Sequence, residues 1–234
     1  MKNKVFKVAG GVLLAISCLL IVDLIVGILQ GGRVSMSGVI RAGILIGAPT
    51  IIGTALMFCG IHTKKQRRQV VKGVTWAVFV TYGFILASIL FLGQRDNGIT
   101  YEYEGVMDYL RYSVNLISFS TIIMYLESLV SGHINVSTII ENLVGNLLLF
   151  MPMGIFLPSL FKRVRSWGAF VGRMLFLICT VEVVQIFTRT GAFDIDDVIL
   201  NLSGACLMFW IVKKDVISKL LNQMYILDNV KNYL

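Results

Sequence analysis

The sequence predicts an all-α fold, a polytopic bundle of about six transmembrane helices with both termini on the cytoplasmic side (N-in/C-in). Hydrophobic residues make up 56% of the 234 positions and charged residues only 15%, and the mean hydropathy is +0.81. Soluble domains average about 45–50% apolar and about 25% charged residues. The apolar residues are concentrated in six stretches, and most basic residues lie between those stretches.

The six apolar stretches follow one another along the whole chain. The first covers residues 6–29 and is longer than the roughly 7–15 apolar residues of a signal peptide, so we expect a retained helix. The next four are close to the roughly 20 residues that span the hydrocarbon, at 38–61, 73–92, 142–161 and 168–187. The sixth, 198–212, is short, and we expect its helix to begin within the polar segment 194–197.

The distribution of lysine and arginine indicates the orientation. If the N-terminus is cytoplasmic and all six stretches span, 15 of the 21 basic residues lie on the cytoplasmic side, as the positive-inside rule predicts. Residues 115–124 lie in the long outer segment between the third and fourth spans. They are moderately apolar but short for a span, so we expect an interfacial or re-entrant helix there.

The predicted domain organisation has three parts. Residues 1–110 hold the first three spans and the start of the outer loop, residues 111–212 form a second membrane domain of three spans with the interfacial segment, and residues 213–234 form a cytoplasmic tail. The membrane lipid bilayer is therefore the first expected partner. Nucleic acid is excluded as a partner, because the basic residues form short clusters between apolar stretches without a contiguous basic, polar surface.

Polar side chains gather at one predicted depth, toward the outer leaflet. An aspartate at the centre of a membrane helix costs about 2.5–3.5 kcal/mol on insertion scales, so such residues usually pair or serve a function. Spacings of three or four residues place the members on shared helix faces. The group comprises Glu182 and Gln185 of the fifth span, Asn142 and Asn146 of the fourth, and Asp194, Asp196, Asp197 and Asn201 at the start of the sixth.

Two interpretations of this polar group stay open. In the structural one, its members hydrogen-bond the bundle together at about 0.6–2 kcal/mol per contact, and residues 194–197 cap the sixth helix. In the functional one, which we favour, carboxylates act as acid and base or hold a divalent cation through oxygen, while amides and an arginine bind the ligand. The catalytic candidates are then Glu182, Asp194, Asp196 and Asp197, and the binding candidates are Asn142, Asn146, Gln185, Arg189 and Asn201.

At these residues the sequence resembles the VanZ-like family of small bacterial membrane proteins. The motifs that carry the resemblance are NLISF at 115–119, NLVGNLLLFMPMGIFLP at 142–158, EVVQ at 182–185, and FDIDDVILN at 193–201 followed by Gly204. The resemblance covers about residues 111–210 and marks the second domain as VanZ-like. It implies a multi-pass location in the bacterial cytoplasmic membrane and reduced susceptibility to teicoplanin, a glycopeptide that binds cell-wall precursors outside the membrane.

Three functions compete at this point. The protein is either a membrane-embedded enzyme acting on a lipid-linked envelope precursor or a lipid headgroup at the outer leaflet, or a non-catalytic membrane protein that binds a lipid, a drug such as a glycopeptide, or a partner. A transporter or flippase is disfavoured, because no inverted repeat is evident and the polar residues lie at one depth without forming a path across the membrane.

Overall fold

The computed structural model describes residues 2–30, 36–91, 106–188 and 190–227, and within these ranges it leaves out the side chains of 36–40, 106–108 and 112. The predicted all-α membrane fold is confirmed. Within the described residues, six helices or helix pairs are long and apolar enough to cross a bilayer, so the chain is a multi-pass membrane protein. These candidate spans are Lys2–Leu29, Arg41–Gly60, Lys64–Phe91, Val136–Leu160, Trp167–Thr188 and Ile195–Lys213.

The chain forms two compact units. The first contains the described parts of residues 1–93 and 219–229, and the second contains the described parts of residues 94–218. The first unit is built on helices α1 (Lys2–Leu29), α2 (Met36–Gly60) and α3 (Lys64–Phe91). Helix α3 begins nine residues before its predicted apolar stretch at residue 73, because the basic segment between them is also helical.

Glycine allows the backbones of α1 and α2 to approach closely. A Cβ atom on Gly10 would lie 2.7 Å from the carbonyl oxygen of Gly53, and one on Gly60 would lie 2.8 Å from the carbonyl oxygen of Asn3. Small residues are the usual means of close packing between membrane helices, because lipid supplies no hydrophobic drive for helix association.

The N-terminal ends of α1 and α3 lie at the same end of the first unit. Asn3 Nδ2 and His62 Nε2 are 2.6 Å apart, which places the start of α1 beside the connection between α2 and α3. Arg67, in the first turn of α3, donates from Nε to the carbonyl oxygen of Ile61 at 2.8 Å and from an Nη to that of Phe58 at 3.1 Å. Arg67 thereby caps the C-terminal end of α2.

The second unit contains shorter elements around three spans. In chain order these are α4 (Val106–Ser113), β1 (Val114–Asn115), α5 (Ser120–Ser131), α6 (Val136–Leu149), α7 (Met153–Leu160), a 3₁₀ turn (Lys162–Val164), α8 (Trp167–Thr188), β2 (Phe193–Asp194) and α9 (Ile195–Lys213). Helix α10 (Asp215–Gln223) follows, and its residues from 219 onward belong to the first unit. Helix α5 has 12 residues and is about 18 Å long, too short for a hydrocarbon core of about 30 Å. Helix α9 begins within the polar segment 194–197, as predicted.

The fourth span is broken, which the sequence analysis did not anticipate. It consists of α6 and α7, separated by residues 150–152. Pro152 has no N–H to donate, and its ring would clash with the carbonyl group of Leu148 in a continuous helix. The chain instead makes tight turns, in which Met153 N donates to Phe150 O at 3.1 Å and Gly154 N donates to Met151 O at 3.0 Å.

Helix α9 packs against both halves of the broken span. A Cβ atom on Gly204 would lie only 1.7 Å from the carbonyl oxygen of Leu147 in α6, and one on Gly154 in α7 would lie 2.6 Å from the backbone nitrogen of Phe209. On another side of α9, the Phe209 ring stacks on Phe170 of α8 with centroids 4.1 Å apart. These contacts hold α6, α7 and α8 around α9, and most of the predicted polar residues lie along α6, α8 and α9.

Candidate functional site

Asp196 is fully buried and holds the N-terminal end of α5. Its Oδ1 accepts a hydrogen bond of 2.5 Å from the backbone N–H of Phe119, and its Oδ2 accepts from the N–H groups of Thr121 and Ile122 at 2.8 and 3.2 Å. The first N–H groups of a helix have no partner within that helix and carry partial positive charge, so a carboxylate is favourable there. Asp196 therefore fastens α5 to the start of α9.

Asp194 joins the same region through a second set of contacts. Its side chain caps α9 by accepting from the backbone N–H of Asp196 at 2.8 Å, and its other oxygen accepts from Thr121 Oγ1 at 2.6 Å and from Asn115 Nδ2 at 3.3 Å. Parallel pairing of β1 with β2 sets Asn115 opposite Asp194. The capping interpretation of Asp194 is thus confirmed, and both of its carboxylate oxygens accept hydrogen bonds from the protein.

Asn146 and Asp197 connect α6 to α9. The Asn146 Nδ2 donates to Asp197 Oδ1, and Asn146 is buried. Asn146 precedes Leu147, whose carbonyl oxygen faces Gly204, so the glycine contact brings these two side chains within bonding range. The amide holds one oxygen of the Asp197 carboxylate in place between the helices.

Glu182 and Gln185 lie at the same depth as the start of α9. Both side chains are buried, with 4% and 1% of their surface exposed. Trp167 and Phe170 at the start of α8 contact Phe209 near the end of α9, so the two helices run in opposite directions. Glu182 lies 12 residues after Phe170 on α8, and Asp197 lies 12 residues before Phe209 on α9. Each is therefore about 18 Å along its helix from the stacked rings, so the two carboxyl groups are at a similar depth.

Asn201 lies one helical turn after Asp197 and is 3% exposed. Its side-chain oxygen is buried and has no hydrogen-bond partner among the residues that the structure describes. Leaving such an acceptor unpaired costs about 1–3 kcal/mol, and most buried polar atoms in proteins are paired. This oxygen is available to accept a hydrogen bond from a ligand.

Of the predicted binding residues, one is not brought into these contacts and another cannot be placed. Asn142 is half-buried, and its Nδ2 donates to the carbonyl oxygen of Thr138 in its own helix at 2.8 Å. Arg189 lies outside the described residues. Among the described residues, no three His, Cys, Asp or Glu side chains are grouped so that they could hold a metal ion.

Three residues of this site were missed by the sequence analysis. Asn115 donates to Asp194 and also to the hydroxyl groups of Ser120 and Thr121, each at 3.0 Å. Phe119 has a left-handed backbone conformation (φ 66°), which directs its N–H toward Asp196. Asn115 and Phe119 belong to the NLISF motif, which was the available signal. Thr121 follows that motif and had no signal of its own.

Comparison with known proteins identifies one family. The family model described as VanZ/LLP1 matches residues 79–219. The match is longer than the resemblance noted at residues 111–210, and at its N-terminal end it includes the second half of α3. No curated protein and no solved structure matches the chain.

Proposed function

The chain belongs to the VanZ/LLP1 family, and on that premise we propose that its carboxylate–amide site engages the headgroup of a lipid-linked cell-envelope precursor and so alters glycopeptide susceptibility. The observation that carries the proposal is the buried, unpaired side-chain oxygen of Asn201, one turn from Asp197. A hydroxyl or amide N–H of a saccharide or peptide headgroup would satisfy this oxygen. The bias of basic residues toward one side supports an N-in/C-in orientation in a bacterial cytoplasmic membrane, with the site facing outward.

The four catalytic candidates divide into two pairs. Asp194 and Asp196 are engaged by backbone and side-chain donors of α5, α9 and β1, and we assign them the positioning of those elements. Glu182 is buried at the depth of Asp197, and Asp197 is oriented by Asn146. A proton on one of these two carboxyl groups and a negative charge on the other would supply the acid and base of a group-transfer reaction.

The first test is teicoplanin susceptibility of a sensitive Gram-positive host that expresses the protein. Wild type is compared with Glu182→Gln and Asp197→Asn at matched membrane levels, and Glu127→Gln, an exposed carboxyl group on α5, serves as the control. We expect wild type and the control to protect the host and both site variants to lose protection. Full protection by both site variants would contradict the proposal.

The alternative function is that of a non-catalytic membrane protein that binds a lipid, drug or partner. The extent to which each site variant loses protection distinguishes this function from the catalytic one. If the site is catalytic, isosteric substitution of either carboxyl group abolishes protection, because the proton-transfer group itself is removed. If the site only binds, the same substitutions give graded losses, comparable to those of Asn146→Ala and Gln185→Ala. Dose–response curves for the four variants distinguish the two cases.

A further inference from the structure

The first unit contains an apolar groove whose lining residues all lie outside the carboxylate–amide site and outside the family match. The cavity has a volume of about 260 Å³ and lies between α1, α2 and α3. Its walls include Ser17 and Ile21 of α1, Thr50 of α2, and Gly73 and Ala77 of α3.

The two hydroxyl groups of the groove do not face its interior as free donors. Ser17 Oγ donates to the carbonyl oxygen of Leu13 at 3.0 Å, and Thr50 Oγ1 donates to that of Ile46 at 2.6 Å. Each hydroxyl group is therefore satisfied within its own helix. The groove offers hydrocarbon to its occupant, which suits an acyl chain and does not suit a polar solute.

Lysines adjoin one end of the groove. Lys65 and Lys72 are four residues before and three residues after Gln69, a groove residue, so all three share one face of α3. Both lysines are exposed, as is the neighbouring Lys64, and the first turn of α3 contains no acidic residue. The N-terminal ends of α1 and α3 lie at this same end and add their partial positive charge.

The dimensions of the groove match one leaflet of a bilayer. Along α3 it runs from Gln69 to Val78, nine residues or about 14 Å, and half of a hydrocarbon core of about 30 Å is about 15 Å. Lys65 precedes Gln69 by four residues, or about 6 Å, which is about the thickness of a headgroup layer. Lys72 lies further along α3, and its long side chain can extend back to the same layer.

From the charge and these dimensions we infer that the groove binds an anionic phospholipid, with an acyl chain between α1, α2 and α3 and the phosphate group against Lys65 and Lys72. Zwitterionic lipid presents the same chain without net charge, so the lysines select for the headgroup and the groove selects for the chain. This lipid would belong to the leaflet at the N-terminal ends of α1 and α3.

Trp76 serves as the fluorescent reporter, because it is partly exposed and lies on α3 between the groove residues Val74 and Ala77. The full chain, with Trp167→Phe and Trp210→Phe so that Trp76 is the single tryptophan, is reconstituted in phosphatidylcholine vesicles. Phosphatidylglycerol or phosphatidylcholine with brominated acyl chains is then titrated in, and quenching of Trp76 fluorescence is measured. We expect half-maximal quenching at a mole fraction about fivefold lower for brominated phosphatidylglycerol.

Matched variants distinguish the contribution of the lipid headgroup from that of the acyl chain. Lys65→Gln with Lys72→Gln should remove the fivefold preference, whereas Lys162→Gln with Arg163→Gln, an equal loss of exposed positive charge in the second unit, should leave it. Gly73→Leu should fill the groove and abolish preferential quenching, and Gly83→Leu on the same helix should not. A Cβ atom meets nothing within 4 Å at either glycine, so the two positions are matched in local space, and the membrane level of each variant is measured beside its quenching.

Equal quenching by the two headgroups in the wild-type background would overturn the inference without any variant. The inference would also be overturned if the preference for phosphatidylglycerol survived the Lys65 and Lys72 substitutions. Equal reduction of that preference by Gly73→Leu and Gly83→Leu would overturn it too.

Discussion

The two units of the chain satisfy their buried polar groups in different ways. Among the described side chains of the first unit, the buried polar ones are the hydroxyl groups of Ser17, Thr81 and Ser88, and each donates to the carbonyl oxygen four residues earlier in its own helix. The second unit also buries such a hydroxyl group, on Ser128. It differs in burying carboxyl and amide groups as well, and Asp196 and Asn146 bond to other elements 51–77 residues away in the chain.

The buried polar groups of the first unit are therefore satisfied within single helices, whereas Asp196 and Asn146 of the second unit are satisfied only when several elements have packed together. A hydroxyl bonded within its helix is satisfied as soon as the helix forms, wherever its neighbours lie. A buried carboxylate that accepts from another element is satisfied only when both elements are in place, and it costs several kcal/mol otherwise. The second unit therefore carries an energetic cost that the first avoids, which is the usual property of a functional region of a membrane protein.

The largest expected effect distinguishes Asp196 from Ser88. Asp196→Ala removes the acceptor of three backbone N–H groups, and we expect the free energy of unfolding to fall by about 3 kcal/mol or more. Ser88→Ala removes a bond within one helix, so the loss should stay below about 1 kcal/mol. Unfolding of the purified variants by SDS in mixed micelles measures both. Similar losses would remove the distinction between the units.

The next prediction concerns the close helix packing at glycine that both units share. Gly204→Ala brings a methyl group against the carbonyl oxygen of Leu147, and Gly10→Ala brings one against that of Gly53. We expect each to lower the free energy of unfolding by about 1–3 kcal/mol, because the paired helices must separate. Gly145→Ala, where nothing lies within 4 Å, is the control and should not destabilise. The same SDS titration applies, and tolerance of both alanines would argue against close backbone packing.

A third substitution separates stability from function within the second unit. Asn201→Leu replaces a buried, unpaired acceptor with an apolar side chain of similar size, so we expect the free energy of unfolding to rise by about 1 kcal/mol. Teicoplanin protection should nevertheless disappear, because the acceptor for the ligand is gone. A destabilised Asn201→Leu variant would indicate that the amide is a structural group, and unchanged protection would exclude it from the site.

The smallest expected effect concerns backbone strain at the N-terminal end of α5. Phe119 has a positive φ, which glycine adopts without the cost of about 1–2 kcal/mol that a Cβ atom imposes. Phe119→Gly should raise the free energy of unfolding by up to about 1 kcal/mol, and Phe119→Ala, which keeps the Cβ atom, should not. Thermal unfolding in detergent compares the two variants. A lower midpoint for the glycine variant would show that the exposed ring contributes more than the strain costs.

The spans were predictable from sequence because length and hydropathy determine which segments cross a bilayer. The predicted starts and ends of the first and fifth spans agree with α1 and α8 within a few residues. The break at Pro152 was not predicted, since proline also occurs in membrane helices without ending them. Helix α6 begins at Val136, before the apolar stretch, because Asn135 caps it by accepting from the backbone N–H of Ser137.

Candidate residues could be named from the sequence, but the contacts that join them could not. Spacing placed Asp197 and Asn201 on one face of the sixth span, and the cost of burying charge marked Glu182. The contact of Asp196 with α5 depends on a left-handed Phe119, for which a bulky aromatic residue is a poor signal. The pairing of Asn115 with Asp194 joins residues 79 apart, beyond the reach of any local pattern.

The contact between Asp196 and α5 also sets an order of events during biosynthesis. Thr121 leaves the ribosome 75 residues before Asp196, the residue that caps its helix. At a synthesis rate of about 5–20 residues per second, about 4–15 s pass before the carboxylate of Asp196 can bind the N-terminal end of α5. During that interval α6, α7 and α8 must enter the bilayer beside an incomplete neighbour. The last span is thus the one that completes the fold of a segment made long before it.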